Sequence, residues 1–217
     1  LVEAGIATVL FIYVMGVVVG TKYIYNYLRG RGLPHNVVVY YNRKVIHVFA
    51  GGVVALLVPI FFTSPIVPTI IAAILTLVTY LPHKRSKLMD WFQVEDNMFE
   101  VNFCVMWGVS IFVAWVLLGS PLYAVLPITF MAFGDAVTGF VRNLMYKRRT
   151  KSWWGNLAMF TVSAPIGYYF LGWLGLPIAA IASLIEHFEF KPIDDNVLIS
   201  TVTLAYILAL NTFNTIM

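Results

Sequence analysis

Asp135 sits within the stretch GDAVTGFVRN, in the middle of an otherwise apolar run. An ionisable group in that setting is costly and faces a polar interior or a water-filled cavity. Its carboxylate offers two chemistries. It can ligate a hard cation, or it can accept a proton from a weakly acidic hydroxyl. A third, plainer reading pairs it with Arg142 or Lys151 to hold helices together. Further acids lie where two later apolar runs end and begin, namely Glu186, Asp194 and Asp195. With Asp135 they would make an oxygen-rich site for Mg²⁺, which takes one or two carboxylates plus phosphate oxygens. Asp195 or Asn196 could equally cap the helix that follows, and Glu186 could be solvated at an interface. Three cations stand at comparable positions. Arg43 and Lys44 precede His47 by about one helical turn, and Lys151 opens the stretch KSWWGN. Interfacial Lys and Arg often serve only as topology anchors. His47 is harder to assign that way, because an apolar, glycine-containing run follows it. Asp135 and His47 are the candidate bases, and Lys151 the candidate for acting on phosphate.

The elements that carry these residues are membrane segments. Of the 217 residues, 60% are hydrophobic and 11% charged, with a mean hydropathy of +0.84, which excludes an ordinary soluble domain. Apolar runs at 6–27, 45–62, 66–81, 101–118, 122–141, 157–171, 176–185 and 197–213 predict an all-α, polytopic integral membrane protein with about eight transmembrane helices. Residues 1–217 form one membrane-embedded domain on this reading. All 14 Lys and Arg fall in, or at the edges of, four alternate connections. Nine of the ten acids and all four His lie with them; Glu3 is the exception. The positive-inside rule predicts that these connections are cytoplasmic and both termini outside. The net charge of +4 then reflects topology, and nucleic acid is not an expected partner. Lys84–Lys87 and Lys147–Arg149 read as solvated or headgroup-contacting runs.

Helix N-termini at the cytoplasmic face favour phosphate, yet the chain has no GxxxxGK[ST] loop and no kinase-type glycine loop. RKVIHVFAGG, GDAVTGF, KSWWGNLAMF and the Glu186…DDNVLI ending, spanning about residues 43–199, together resemble the CTP-dependent lipid kinases. That family includes dolichol kinase, phytol kinase and the yeast-type diacylglycerol kinase, with phosphatidate cytidylyltransferases more distant. The resemblance implies an enzyme that uses CTP and a divalent metal to phosphorylate a membrane lipid alcohol, most simply a polyprenol or dolichol. Position by position, it implies nucleotide contacts at Arg43, Lys44, Lys151, Ser152, Gly155 and Asn196. Trp154 and Asn156 depart from the family's usual KSxEGS pattern, and Arg142–Asn143 is shifted by one from its Gly–Arg pair.

A CDP-lipid synthase, in which a lipid phosphate attacks the α-phosphorus of CTP, is the alternative. A transporter would carry its polar site near the midplane, often on broken helices, whereas here the polar residues gather at one face. An alcohol, unlike a lipid phosphate, needs a positioned base, which favours the kinase. The sequence leaves room for a homo-oligomer.

Overall fold

The computed structural model describes residues 2–147, 150–188 and 193–216. Among them helix is the only extended secondary structure, apart from an isolated bridge between Val94 and Asn97. In chain order the helices are α1 (Val2–Gly30), α2 (His35–Ile46), α3 (Val53–Phe61), α4 (Ile66–Lys84) and α5 (Phe99–Leu118). After them come α6 (Pro121–Thr129), α7 (Asp135–Tyr146), α8 (Trp153–Leu171), α9 (Gly175–Ile185) and α10 (Asp195–Ile216). A π-helical segment, His47–Gly52, joins α2 to α3, and a second, Phe130–Gly134, joins α6 to α7.

Among the described residues, six helical runs are long and apolar enough to cross a membrane: Val2–Gly30, His35–Phe61, Ile66–Lys84, Phe99–Leu118, Pro121–Tyr146 and Trp153–Ile185. The last is a hairpin. Gly172, with φ of +58°, turns the chain. A methyl on Gly167 or Gly175 would strike the other's backbone, so α8 and α9 pack back to back. The eight apolar segments expected from sequence fall on helices, but among the described residues six is the number of spans that length and composition support. The 11 residues of α9 span only about 16 Å, roughly half a hydrocarbon core.

Helix α6 lies at the centre. Every residue from Ala124 to Ala132 is buried, as expected of a helix that is apolar all round. It runs through the second π segment straight into Asp135, so the centre of the bundle delivers the carboxylate.

The four charged connections meet at one end. Asn42 donates to Thr21 O and Trp91 O, Asn143 to Val37 O, Asn196 to Phe99 O and Lys151 to Asp195. At the opposite end Glu3 accepts from the backbone and hydroxyl of Thr63, at 2.8 and 2.6 Å. Glu3, the one acid set apart in the sequence, thus caps the start of the α3–α4 connection. Arg148, Arg149 and Lys191 lie outside the described residues.

Candidate active site

Two π segments place the central residues. A π turn inserts an extra residue into a helix, displaces the side chains beyond it, and is frequent at functional sites. His47 opens the first segment and Asp135 directly follows the second, its N–H bonding to Phe130 O. Carbonyls loosened in the first segment find other donors: Tyr13 OH bonds to Phe49 O and Trp107 Nε1 to Gly51 O, both at 3.1 Å. The two segments pack on each other, which brings His47 Nδ1 to 3.6 Å from Asp135 Oδ2.

Asp135 is fully buried. Its Oδ2 is ion-paired with Lys44 Nζ, and Oδ1 has no hydrogen-bond partner among the described residues. Gly139, one turn on, leaves room for the Lys44 stem, where a methyl would collide. The pairing of Asp135 with Arg142 or Lys151 considered from sequence is therefore corrected to Lys44. Arg142 turns instead to Glu186, donating from Nη1 and Nη2 to its two oxygens at 2.7 Å each. It also donates to Ser152 O at 3.0 Å and Asn156 Oδ1 at 3.1 Å. Bidentate geometry of this kind is what the planar guanidinium supplies and an ammonium cannot.

Lys151 bridges the remaining acids, 2.9 Å from Glu186 Oε1 and 3.0 Å from Asp195 Oδ2. Burial works to lower its pKa. The Asp195 and Glu186 carboxylates beside it overcome that and hold the ammonium above its ordinary value. Asp135, Glu186 and Asp195 each offer a carboxylate oxygen, and these atoms lie within 4.8 Å of one another. Residues 135, 186 and 195 come from three separate helix ends. Their convergence fits a hard cation with oxygen ligands, and Lys44 and Lys151 balance the same charge in its place.

The other residues singled out from sequence have more structural surroundings. His47 is buried and stacked on Phe103, ring centroids 4.0 Å apart, and among the described residues neither ring nitrogen has a hydrogen-bond partner. Arg43 is buried with its guanidinium 4.1 Å from the centre of the Phe99 ring. It reaches none of the three acids by any hydrogen bond or ion pair found among the described residues. Ser152 occupies the position before α8 without a side-chain cap bond, and its buried Oγ has no hydrogen-bond partner among the described residues. Gly155, expected on the nucleotide, lies against Arg142, where a methyl would collide with the guanidinium.

Asp194, grouped with the metal ligands from sequence, lies outside the triad. Its Oδ1 accepts from Val197 N at 3.1 Å and its Oδ2 from Asn196 Nδ2 at 3.2 Å. The first bond is that of an N-cap to the third helical residue, so the capping role belongs to Asp194 and not to Asp195 or Asn196. Burial, reinforced by the neighbouring Asp195, raises its pKa to about 6. Asn196, expected on the nucleotide, ties α10 to α5 through Phe99 O.

The sequence suggested Arg142 only as a partner for Asp135, not for Glu186, and gave Asn156 no place in this network. Asn156 also donates to Ser183 O and accepts at 3.1 Å from the His187 ring, coupling α8 to α9. One signal was available: Arg142 is seven residues, two helical turns, beyond Asp135 and so shares its face.

Comparison with known families, with curated proteins and with solved structures finds no match to this chain.

Proposed function

We propose that the protein is a membrane enzyme that transfers the γ-phosphoryl group of CTP to a lipid alcohol of the polyprenol or dolichol type, releasing CDP. The observation that carries this reading is the convergence of Asp135, Glu186 and Asp195 beside Lys44, Lys151 and His47. The charged end is the cytoplasmic one on this reading, by the distribution of Lys and Arg.

Asp135, Glu186 and Asp195 would hold Mg²⁺, which offsets charge on the phosphate oxygens. Lys44 and Lys151, released from the acids they now neutralise, turn to the triphosphate as point charges. Arg142 keeps Glu186 oriented. The hydroxyl proton passes to a free ring nitrogen of His47, and Asp135 beside it stabilises the imidazolium. The alcohol oxygen bonds to the γ-phosphorus as the bond to the β–γ bridging oxygen breaks. CDP carries away the electron pair.

The test uses the full chain in nanodiscs with Mg²⁺ and CTP labelled at the γ-phosphate. Label is expected on a long-chain isoprenoid alcohol. Transfer only from the α-phosphate, and only to a lipid phosphate, would replace the kinase with a CDP-lipid synthase.

A further inference from the structure

We propose that the apolar pocket between α1, α3, α4 and α5 seats the hydrocarbon chain of the substrate and selects a single-chain alcohol with one hydroxyl. This deepens the kinase reading and rests on it for the fate of the hydroxyl.

The pocket takes in about 760 Å³ of space, part of it open to the exterior. Leu10 and Val14 of α1, Ile71 and Leu75 of α4, and Phe103 and Trp107 of α5 form its walls. Glu100 and Trp107 are seven residues apart on α5, so the lane descends about 10 Å from the charged end into the apolar zone. His47 and Glu100 border its upper end. Both are buried, and both carry atoms without a hydrogen-bond partner among the described residues: the two ring nitrogens of His47, and Glu100 Oε2. His47 also faces Asp135, so the pocket's head end is the acid centre's edge.

The chemistry of these loose ends limits the occupant. A single hydroxyl has one proton to donate, so it can meet the basic nitrogen of His47 that takes that proton in the reaction, and it brings no second polar group into the lane. A diacylglycerol would bring two ester groups, which only accept. Burying them in a lane of Leu, Val, Ile, Phe and Trp costs free energy that nothing there returns. A carboxylate at the head end would repel them as well. One chain with one hydroxyl leaves no such deficit.

The experiment is photocrosslinking of a polyprenol analogue, with a diazirine in its second isoprene unit, to the whole protein in phosphatidylcholine nanodiscs without CTP. Crosslinks are expected on pocket residues of α1, α4 and α5. Val14→Trp and Leu75→Trp, which fill the lane, should lower them by about tenfold, the effect of roughly 1.4 kcal/mol of exclusion. Ile60→Trp, on an exposed part of α3 away from the pocket, should leave them unchanged. Unlabelled polyprenol should compete and diacylglycerol should not. Crosslinks spread over lipid-facing residues such as Ile60, or equal competition by diacylglycerol, would overturn the inference. The map of the unaltered protein decides the question even if a Trp variant fails to fold. Because no CTP is used, pocket labelling without γ-label transfer would sink the kinase reading alone; transfer with crosslinks elsewhere would sink the pocket alone.

Discussion

The Asp135 centre and the Glu100 cluster are both buried carboxylate sites at the charged end of the bundle, and they differ in what assembles them. Glu100 Oε1 takes His83 Nε2 and, at 2.7 Å, Gln93 Nε2. Gln93 also donates to Thr79 O at 2.8 Å and accepts from Met89 N at 2.9 Å. Every one of these partners lies between residues 79 and 100, so the cluster pins one connection to the helices it joins. The Asp135 centre draws on α2, α7, α8, α9 and α10, with Lys44 91 residues from Asp135 and Glu186 44 from Arg142. It exists only in the finished fold. It also keeps Asp135 Oδ1, both His47 nitrogens and Ser152 Oγ buried without hydrogen-bond partners among the described residues. Unfilled polar atoms of that kind cost stability. The Glu100 cluster leaves one such atom, Oε2, at the head of the apolar pocket; its local bonds read as scaffolding, and the long-range centre with more loose ends reads as the place where the reaction is carried.

Substituting the two acids gives the largest expected contrast. Asp135→Asn should lower γ-label transfer by roughly a thousandfold, the scale of losing a group that acts in the transition state. Glu100→Gln should lower transfer by only about tenfold, and the apparent melting temperature with it, since it weakens a pinning bond and removes the charge at the head of the pocket. Asp135→Asn strands the Lys44 ammonium, and breaking a buried pair costs ~3–5 kcal/mol. The double variant Lys44→Met with Asp135→Asn removes that penalty and should be folded yet inactive. Equal losses of transfer for Glu100→Gln and Asp135→Asn, at matched stability, would erase the contrast.

The next effect tests the framework around Glu186. Gly155→Ala should push the Arg142 guanidinium off Glu186, and Arg142→Lys should fail to restore both bonds. Each is expected to lower kcat by about tenfold to a hundredfold and the melting temperature with it. A Gly155→Ala variant that raised only the KM for CTP, with stability intact, would place Gly155 on the nucleotide and sharpen the site in another direction.

How far these features were legible follows from the physics of each. The apolar runs and the segregation of Lys and Arg are written in composition, so helices and a single charged end were readable, as was the separate position of Glu3. Asp135, His47, Lys151, Glu186 and Asp195 stood out as polar groups in or beside apolar segments. Pairings did not, because an ion pair between residues 44 and 135 depends on how two π segments pack, and no local pattern announces a π turn. The resemblance puts Gly155 on the nucleotide, whereas the space beside it is taken by Arg142, as the space beside Gly139 is by Lys44. The α8–α9 hairpin was visible as a short seventh segment, but its back-to-back packing at Gly167 and Gly175 was not.

The smallest expected effect concerns Asp194, which the comparison assigns to scaffolding although it adjoins Asp195. Its pKa rises from the ordinary 3.8 to about 6 in the folded protein. The fold therefore binds a proton that the unfolded chain has released in that range. Its contribution favours the folded state at low pH and is lost as pH rises through the same window. Asp194→Asn keeps an oxygen to cap α10, because Asn is as good an N-cap as Asp, and it removes the titration. The variant should lose the fall in stability between pH 3.8 and about 6, and it should be more stable than the parent at pH 7 by on the order of 1–3 kcal/mol. Thermal melts across pH measure this directly. Transfer at saturating Mg²⁺ should stay within about threefold, since a cap acts through the helix and not on phosphate. Should Asp194→Asn instead need far more Mg²⁺ for the same rate, Asp194 would be a fourth ligand. The acid centre would then extend into the start of α10, and the boundary drawn between binding site and scaffold would have to move past it.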